Sequence, residues 1–246
     1  MDLEDAIDRL REDPASTGIF LDFDGTLSAI VPRPEDASLV RGAREALQAL
    51  AERYALVAIV SGRALEDLRK RIGVQGVVLA GAYGRERSDR KGRRATEGWE
   101  TVAFAASAGV GHLDGVVIER KGAGIAMHFR ASPEHSDAVH GLASDLAAEY
   151  GLEVRPGRKV VELVVPGPGK GDAIVGLIAE RGLERVLVAG DDWGDLDAFS
   201  ALREQGHDAV IAAVASEEAP PGLTDLADVV VAGPPQLVAL LAQLTR

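Results

Sequence analysis

The chain has 246 residues, a formal net charge of −12 and no cysteine. This charge argues against a general nucleic-acid surface, because binding to a phosphate backbone requires a basic patch. The lack of cysteine excludes disulfides, thiolate metal sites and a cysteine nucleophile. The acidic N-terminus lacks the features of a signal peptide, and no apolar run approaches the roughly 20 residues of a membrane span. We therefore expect a cytoplasmic protein without a membrane partner.

The first part of the chain alternates amphipathic helices with apolar strands. The pattern predicts helices at residues 2–12, 41–53 and 64–72, and strands at 18–21, 54–60 and 76–80. This alternation is typical of α/β proteins with a doubly wound parallel sheet. Ligands of such Rossmann-like sheets lie at the carboxyl ends of the strands.

The pattern changes after Gly84. Residues 85–98 are polar and basic, which favours a turn or loose hairpin, and a helix is predicted at 99–108. Two strands (115–120 and 124–130), a helix (133–150) and two more strands (152–155 and 159–165) follow. Strand–strand–helix–strand–strand is an α+β order, so we predict a smaller domain at 111–167, inserted into an α/β core formed by 1–110 and 168–246.

The strand and helix alternation then resumes. Helices are predicted at 170–181, 195–202 and 235–244, and strands at 186–189, 209–214 and 229–232.

Asp22 and Asp24 follow the first apolar strand within the run from Phe20 to Thr26. Two carboxylates at this spacing converge only if the strand ends between them, and Gly25 permits a sharp turn there. One carboxylate can attack phosphorus, and the other can protonate the leaving oxygen and later activate water. We predict these roles for Asp22 and Asp24, and the alternative is a surface Asp-Gly turn.

Two further motifs favour phosphate binding. Ser61, Gly62 and Arg63 end the second strand, where a hydroxyl and free backbone N–H groups form an oxyanion site, although Ser is also a common helix cap. Lys170 begins a helix, where a cation opposes the helix dipole and a nearby anion would offset the cost. A solvated surface lysine is the alternative.

Three carboxylates follow another buried strand, in Gly190-Asp191-Asp192-Trp193-Gly194-Asp195. They repel one another unless a cation lies among them, and Mg²⁺ prefers such oxygen ligands. The alternative of a helix cap in a solvated turn explains one aspartate rather than three. Together the four motifs, each at the carboxyl end of a strand or the start of the next helix, predict phosphoryl-transfer chemistry.

These motifs resemble those of the haloacid dehalogenase superfamily of phosphatases. Asp22-x-Asp24-Gly25-Thr26, Ser61, Lys170 and Gly190-Asp191-x-x-x-Asp195 match its four motifs in order, and the position of the insert resembles a C2-type cap. More narrowly, the chain resembles the trehalose-6-phosphate phosphatase family at residues 21–30, 61–63, 121–122, 128–130, 156–163, 169–171, 190–192 and 197–199. The chain departs from that family's usual residues, which are His at Tyr83, Arg at Val164, Thr at Gly194 and Glu at Leu196.

The resemblance implies a Mg²⁺-dependent phosphatase that hydrolyses trehalose 6-phosphate through an aspartyl-phosphate on Asp22. It implies Mg²⁺ ligation by Asp22, the Asp24 carbonyl and Asp191, assisted by Asp192 or Asp195, and phosphate contacts from Ser61 and Lys170. Thr26, Gly62 and Arg63 are further candidates for substrate binding. The resemblance also makes four cap residues candidates for binding sugar hydroxyls, with cross-strand charge pairs as the alternative: Glu119, Lys121, Lys159 and Glu162.

Other functions remain open at this point. The substrate of such a core is a small sugar phosphate, and a sucrose- or glycosylglycerate-phosphate phosphatase differs only in its cap. A catalytically silent sugar-phosphate sensor would have no reason to keep both Asp22 and Asp24. A phosphotransferase or mutase on the same core is a further alternative. The resemblance suggests a functional link to a trehalose-phosphate synthase, and a monomer is compatible with the sequence.

Overall fold

A computed structural model describes residues 3–31, 33–90, 99–121, 124–157, 159–216 and 219–246. Within these ranges the helices are α1 (Leu3–Arg11), α2 (Ala43–Arg53), α3 (Leu65–Ile72), α4 (Trp99–Val110), α5 (Ser136–Tyr150), α6 (Lys170–Arg181), α7 (Trp193–Glu204) and α8 (Pro234–Gln243). The strands are β1 (Thr17–Leu21), β2 (Leu56–Val60), β3 (Val77–Gly81), β4 (Glu86–Arg87), β5 (Val117–Lys121), β6 (Gly124–His128), β7 (Glu153–Gly157), β8 (Val160–Val164), β9 (Arg185–Gly190), β10 (Asp208–Val214) and β11 (Val229–Val231).

The large sheet of the described chain has seven strands in the order β11-β10-β9-β1-β2-β3-β4. Every neighbouring pair is parallel except β3 and β4, which are antiparallel. All residues of β1, β2 and β3 are buried, as expected for parallel strands that are covered on both faces. The predicted α/β class and doubly wound sheet are confirmed, with the antiparallel edge strand β4 as an addition.

Helices cover both faces of this sheet. One apolar core holds side chains of α1, α2, α3 and α8, and the other holds side chains of α6 and α7. None of the described helices combines the length and the apolarity that crossing a membrane requires.

A second, antiparallel sheet has the strand order β5-β6-β8-β7. We call this sheet with α4 and α5 the cap. Its apolar core includes Trp99, Val102 and Ala106 of α4 beside Ile125 and Leu163 of the sheet. The small sheet fits the predicted inserted domain, and because α4 packs within its core we propose that the insert begins at this helix rather than at Gly111.

Some sequence-based predictions fall at the edges of the described residues. Of the predicted hairpin at 85–98, Glu86 and Arg87 form β4, while 91–98 lie outside the described residues. The same holds for Gly122 and Ala123 of the first cap turn, and for Arg158 of the second.

Candidate active site

The carboxyl ends of β9, β1 and β2 lie side by side and carry Asp191, Asp22 and Ser61. Leu21 pairs with Ala189 on one side and with Ile59 on the other, so the residues that follow these strands meet at one edge of the sheet. The backbone N–H of Asp22 continues this pairing by donating to the carbonyl of Ala189 at 3.0 Å. The parallel register is therefore what assembles the site from distant parts of the chain.

Lys170 at the start of α6 lies buried against this edge. Its Nζ is 2.9 Å from Asp22 Oδ1, 3.0 Å from Asp192 Oδ1 and 3.1 Å from Asp195 Oδ1. Burial disfavours the ammonium charge, but the three carboxylates outweigh it and hold the pKa of Lys170 well above its usual value. Lys170 is thus a fixed positive charge beside Asp22 rather than a solvated surface lysine.

Asp22, Asp191 and Asp195 form a buried carboxylate cluster. Each offers one oxygen, and these oxygens lie within 4.8 Å of one another. Burial raises the pKa of Asp22 to about 7 in spite of Lys170, and burial together with the charge of Asp22 raises the pKa of Asp191 well above its usual value. Three carboxylates this close are stable in the ionised form only with more positive charge than one lysine supplies.

One oxygen in this cluster is left without a protein partner. Asp22 Oδ2 is buried and has no hydrogen-bond donor among the described residues, whereas Asp22 Oδ1 pairs with Lys170. A buried carboxylate oxygen without a donor is costly, and a divalent cation bound there would remove the cost. The donor set, all oxygen and all anionic, therefore fits a divalent metal ion.

Asp192 and Asp195 also build the start of α7. Asp192 Oδ1 accepts the backbone N–H of Asp195 at 2.9 Å, and Asp195 Oδ2 accepts the N–H groups of Asp191 and Asp192. This is a reciprocal capping box. The side chain of Asp192 is half-exposed and turns toward Lys170, so its carboxylate is not part of the buried cluster.

Gly25 provides the space in which Asp191 lies. Its φ is +74°, and a Cβ at this position would stand 2.0 Å from Asp191 Oδ2. Thr26 then donates from Oγ1 to Asp191 Oδ1 at 3.0 Å. Thr26, a predicted substrate contact, thus orients a carboxylate of the cluster.

Asp24 points its carboxylate to Arg63 rather than to the cluster. Arg63 donates from Nε and Nη2 to the two oxygens of Asp24, both at 2.7 Å, and from Nη1 to Asp67 at 2.8 Å. Burial opposes the charge of Arg63, but these carboxylates raise its pKa above the usual value. Arg63 was predicted to contact the substrate, but its guanidinium is paired with the carboxylates of Asp24 and Asp67.

Ser61 is buried at the end of β2. Its Oγ accepts the backbone N–H of Arg63 at 3.2 Å, and its own N–H donates to the carbonyl of Ala80 at 3.0 Å. The side-chain hydroxyl thus stabilises the loop of Ser61, Gly62 and Arg63, which we call the Ser61 loop, and its O–H remains available to donate.

A cavity of about 410 Å³ lies between the site and the cap. The core contributes Asp22, Asp24 and Ser61 to its lining, and the cap contributes Glu119, Lys121 and Glu162. Lys121 forms an ion pair with Glu162 across the sheet, and His128 Nε2 lies 2.9 Å from Glu119 Oε2. Three of the four predicted sugar contacts therefore face the cavity in charge pairs.

Lys159 behaves differently. It is exposed after β7 and is absent from the described residues that line the cavity. Its role in sugar binding stays a prediction that the geometry does not support.

The sequence analysis missed two aromatic residues of the cavity as site residues. Trp193 lines it with 44% of its surface exposed, and the hydroxyl of Tyr83 donates to Glu162 of the cap. An exposed tryptophan next to three aspartates was a usable signal for the first. The second depends on a contact between residues 79 positions apart, which no local pattern indicates.

A family model described as trehalose-phosphatase matches residues 20–224 of this chain. The chain belongs to the trehalose-phosphatase family. The resemblance to this family that was inferred from the sequence is therefore confirmed.

Two curated relatives illustrate the match. A trehalose-phosphate phosphatase of Mycobacterium avium is 36% identical over 200 residues, which are 75% of this chain and 51% of that protein. An uncharacterized glycosyl hydrolase of Mycobacterium tuberculosis is 40% identical over 210 residues, which are 78% of this chain and 16% of that protein. The chain thus spans about half the length of the first relative and a small part of the second.

Among solved structures, the C-terminal domain of the C. albicans trehalose-6-phosphate phosphatase superposes with a TM-score of 0.83. The sequence identity is 21%, and the match covers 100% of this chain and 97% of that one. This similarity establishes the fold, including the cap.

Proposed function

We propose that this chain is a Mg²⁺-dependent phosphatase that hydrolyses trehalose 6-phosphate to trehalose and phosphate. The observation that carries the proposal is the state of Asp22. Its carboxylate is buried, one oxygen pairs with Lys170, and the other lies without a protein donor beside Asp191 and Asp195. In a chain of the trehalose-phosphatase family, this arrangement supports a nucleophile next to a metal ion.

The reaction begins when an oxygen of Asp22 attacks phosphorus and the bond from phosphorus to the sugar oxygen breaks. Asp24, protonated, gives its proton to that oxygen, and the sugar leaves. Asp24 then accepts a proton from water as the water attacks the aspartyl-phosphate, which releases phosphate and restores Asp22. Arg63 takes up one lone pair on each oxygen of Asp24, and the other lone pair of each oxygen remains for proton exchange with the sugar oxygen and with water.

The remaining residues of the site stabilise the negative charge of the phosphoryl group. Lys170 offsets the negative charge of the phosphoryl group, and the hydroxyl of Ser61 donates to one of its oxygens. Asp22, Asp191 and Asp195 would hold Mg²⁺, which when bound neutralises developing charge on the phosphoryl oxygens. A site in the cytoplasm and a functional link to a trehalose-phosphate synthase stay predictions from the sequence.

The test is a phosphate-release assay with trehalose 6-phosphate, sucrose 6-phosphate and glucose 6-phosphate, with Mg²⁺ or with EDTA. We expect release from trehalose 6-phosphate that EDTA stops and Mg²⁺ restores. Asp22→Asn should lose at least about 1,000-fold in kcat, whereas Asp145→Asn, on the exposed face of α5, should match the wild type. Release from another sugar phosphate alone would replace the proposed substrate, and full activity of Asp22→Asn would refute the nucleophile.

A further inference from the structure

Tyr83 lies in an unusual backbone turn directly after β3. Ala82 and Tyr83 have φ values of 52° and 57°, which lie in the left-handed region that is unfavourable for residues other than glycine. Two hydrogen bonds stabilise the turn: Ala82 N–H donates to Arg63 O at 2.8 Å, and Tyr83 N–H donates to Ser61 O at 3.0 Å. A strained turn that the surrounding structure holds in place is characteristic of functional positions. Here the carbonyl groups at the two ends of the Ser61 loop hold the turn.

The ring of Tyr83 lies against that same loop. A Cβ on Gly62 would stand 2.7 Å from Cζ and from Oη of Tyr83, so the ring occupies the space that a side chain at position 62 would need. The Ser61 loop and the Tyr83 ring are therefore packed as one unit.

The other end of Tyr83 reaches the cap. Its hydroxyl donates to Glu162 Oε2, while Lys121 Nζ pairs with Glu162 Oε1. The Arg155 guanidinium lies 5.2 Å from the centre of the Tyr83 ring, and Val164 of β8 is buried against Ala82 and Tyr83. Tyr83 and Val164, which both depart from the usual family residues, are thus members of one contact between core and cap.

The geometry points to Tyr83 as a positioning residue for the sugar. We propose that its hydroxyl fixes the orientation of Glu162, and with it Lys121, at a set distance from the Ser61 loop. The inference rests on the proposed function, because it assumes that this pair contacts the sugar while the loop contacts the phosphoryl group.

The chemistry of the carboxylate explains why one hydroxyl matters. Each oxygen of Glu162 has two lone pairs, and Tyr83 and Lys121 each use one, so one lone pair per oxygen remains for a sugar hydroxyl. Without the hydroxyl of Tyr83, only Lys121 holds the carboxylate of Glu162, which can then rotate about its Cγ–Cδ bond. The substrate must then fix it on binding, which weakens the binding of a sugar phosphate. The binding of a phosphate ester that is too small to reach the cap is not weakened in this way.

The experiment compares Tyr83→Phe with the wild type on trehalose 6-phosphate and on p-nitrophenyl phosphate, both with Mg²⁺. We expect KM for trehalose 6-phosphate to rise roughly tenfold with kcat changed less than about threefold, and an effect at least about fivefold smaller on p-nitrophenyl phosphate. Tyr54→Phe is the matched control. Tyr54 is also buried, with a single hydroxyl bond to Leu244 O at 3.2 Å far from the cavity, and both substrates should be unaffected.

A double-mutant cycle separates positioning from general damage to the fold. Glu162→Gln alone should also raise KM for trehalose 6-phosphate, and adding Tyr83→Phe should cost less than about twofold more, because the hydroxyl acts through that carboxylate. Additive effects, or equal losses on both substrates, would overturn the inference. If Tyr83→Phe does not fold, a Glu162→Gln variant with unchanged KM overturns it as well.

Failure of the proposed function has a different signature. A wild-type protein that releases phosphate from neither substrate refutes the phosphatase, and the positioning role falls with it. A wild-type protein that is active on both, with Tyr83→Phe indistinguishable from it, refutes the positioning role alone.

Discussion

Arg63 holds Asp24 by both of its carboxylate oxygens, through Nε and Nη2 at 2.7 Å each. Two parallel charge-assisted hydrogen bonds fix the plane of a carboxylate as well as its position. The pair therefore places Asp24 at the cavity and leaves one lone pair on each of its oxygens for proton transfer. Arg63 thus orients the proposed general acid.

We expect Arg63→Lys to lower kcat for trehalose 6-phosphate roughly tenfold or more, because a lysine keeps the charge but cannot hold both oxygens at once. Steady-state kinetics measure the loss, and a melting curve checks the fold, since Arg63 is buried and also binds Asp67. Arg71→Lys is the control, because Arg71 shares Asp67 at 2.8 Å without contacting Asp24. Unchanged kcat in Arg63→Lys would mean that Asp24 needs no such orientation.

Asp22→Asn should stabilise the metal-free protein, and more so at higher pH. Burial raises the pKa of Asp22 from 3.8 to about 7, so between these values the folded protein binds a proton that the unfolded chain does not. Asp22 therefore lowers the folding stability of the wild type as pH rises through this window, and an asparagine at this position makes no such contribution. Unfolding by urea in EDTA at pH 5, 6, 7 and 8 should give a difference in unfolding free energy that widens toward pH 8.

Asp145→Asn is the control for that series, because it removes an aspartate on the exposed face of α5. It should follow the wild type at each pH. A difference for Asp22→Asn that is constant with pH, or that narrows toward pH 8, contradicts the buried charge as its origin.

Gly25→Ala should weaken binding of Mg²⁺ at least about tenfold. A methyl group at this position meets Asp191 Oδ2 at 2.0 Å, so the carboxylate must move out of the cluster. Gly182→Ala at the end of α6 is the control. Its φ of 62° imposes a similar backbone strain of about 1–2 kcal/mol, but nothing lies within 4 Å of the added carbon. Titration calorimetry with Mg²⁺ should separate the two variants, and equal affinities would show that the strain, not the contact, is responsible.

Trp193 should report ligand binding by its fluorescence. The chain has two tryptophans, of which Trp99 is buried in the cap and Trp193 is 44% exposed at the cavity. Trehalose 6-phosphate added to the inactive Asp22→Asn variant should shift the emission to shorter wavelength as Trp193 is covered. Adding Trp193→Phe should abolish the shift and Trp99→Phe should preserve it; the opposite pattern would place the ligand elsewhere.

Most strands and helices that position the site could be predicted from the sequence, because they depend on local patterns of apolar residues. The buried strands β1, β2 and β9 are apolar runs, and Asp22, Ser61 and Asp191 directly follow them in the sequence. The parallel register then dictates that their ends meet. For the same reason the change of pattern after Gly84 marked the cap.

What the sequence did not reveal are contacts between elements. The helix at 99–108 was predicted, but its apolar face does not say which sheet covers it, and in the structure that sheet belongs to the cap. The pairs of Arg63 with Asp24 and of Tyr83 with Glu162 join residues 39 and 79 positions apart. Such pairs follow from the positions of backbones in space, which side-chain type and spacing do not encode.

The strand order has a consequence for the folding of the chain during its synthesis. β1, which carries the nucleophile, pairs with β9 from the last third of the chain, so a nascent chain that stops short of β9 leaves β1 at an open edge. The same missing segment holds Asp191 and Asp195, whereas Lys170 precedes it at the start of α6. During synthesis, the pairing of β1 with β9 and the assembly of the carboxylate cluster therefore depend on the same late segment, and a chain that lacks it carries Asp22 without Asp191 and Asp195.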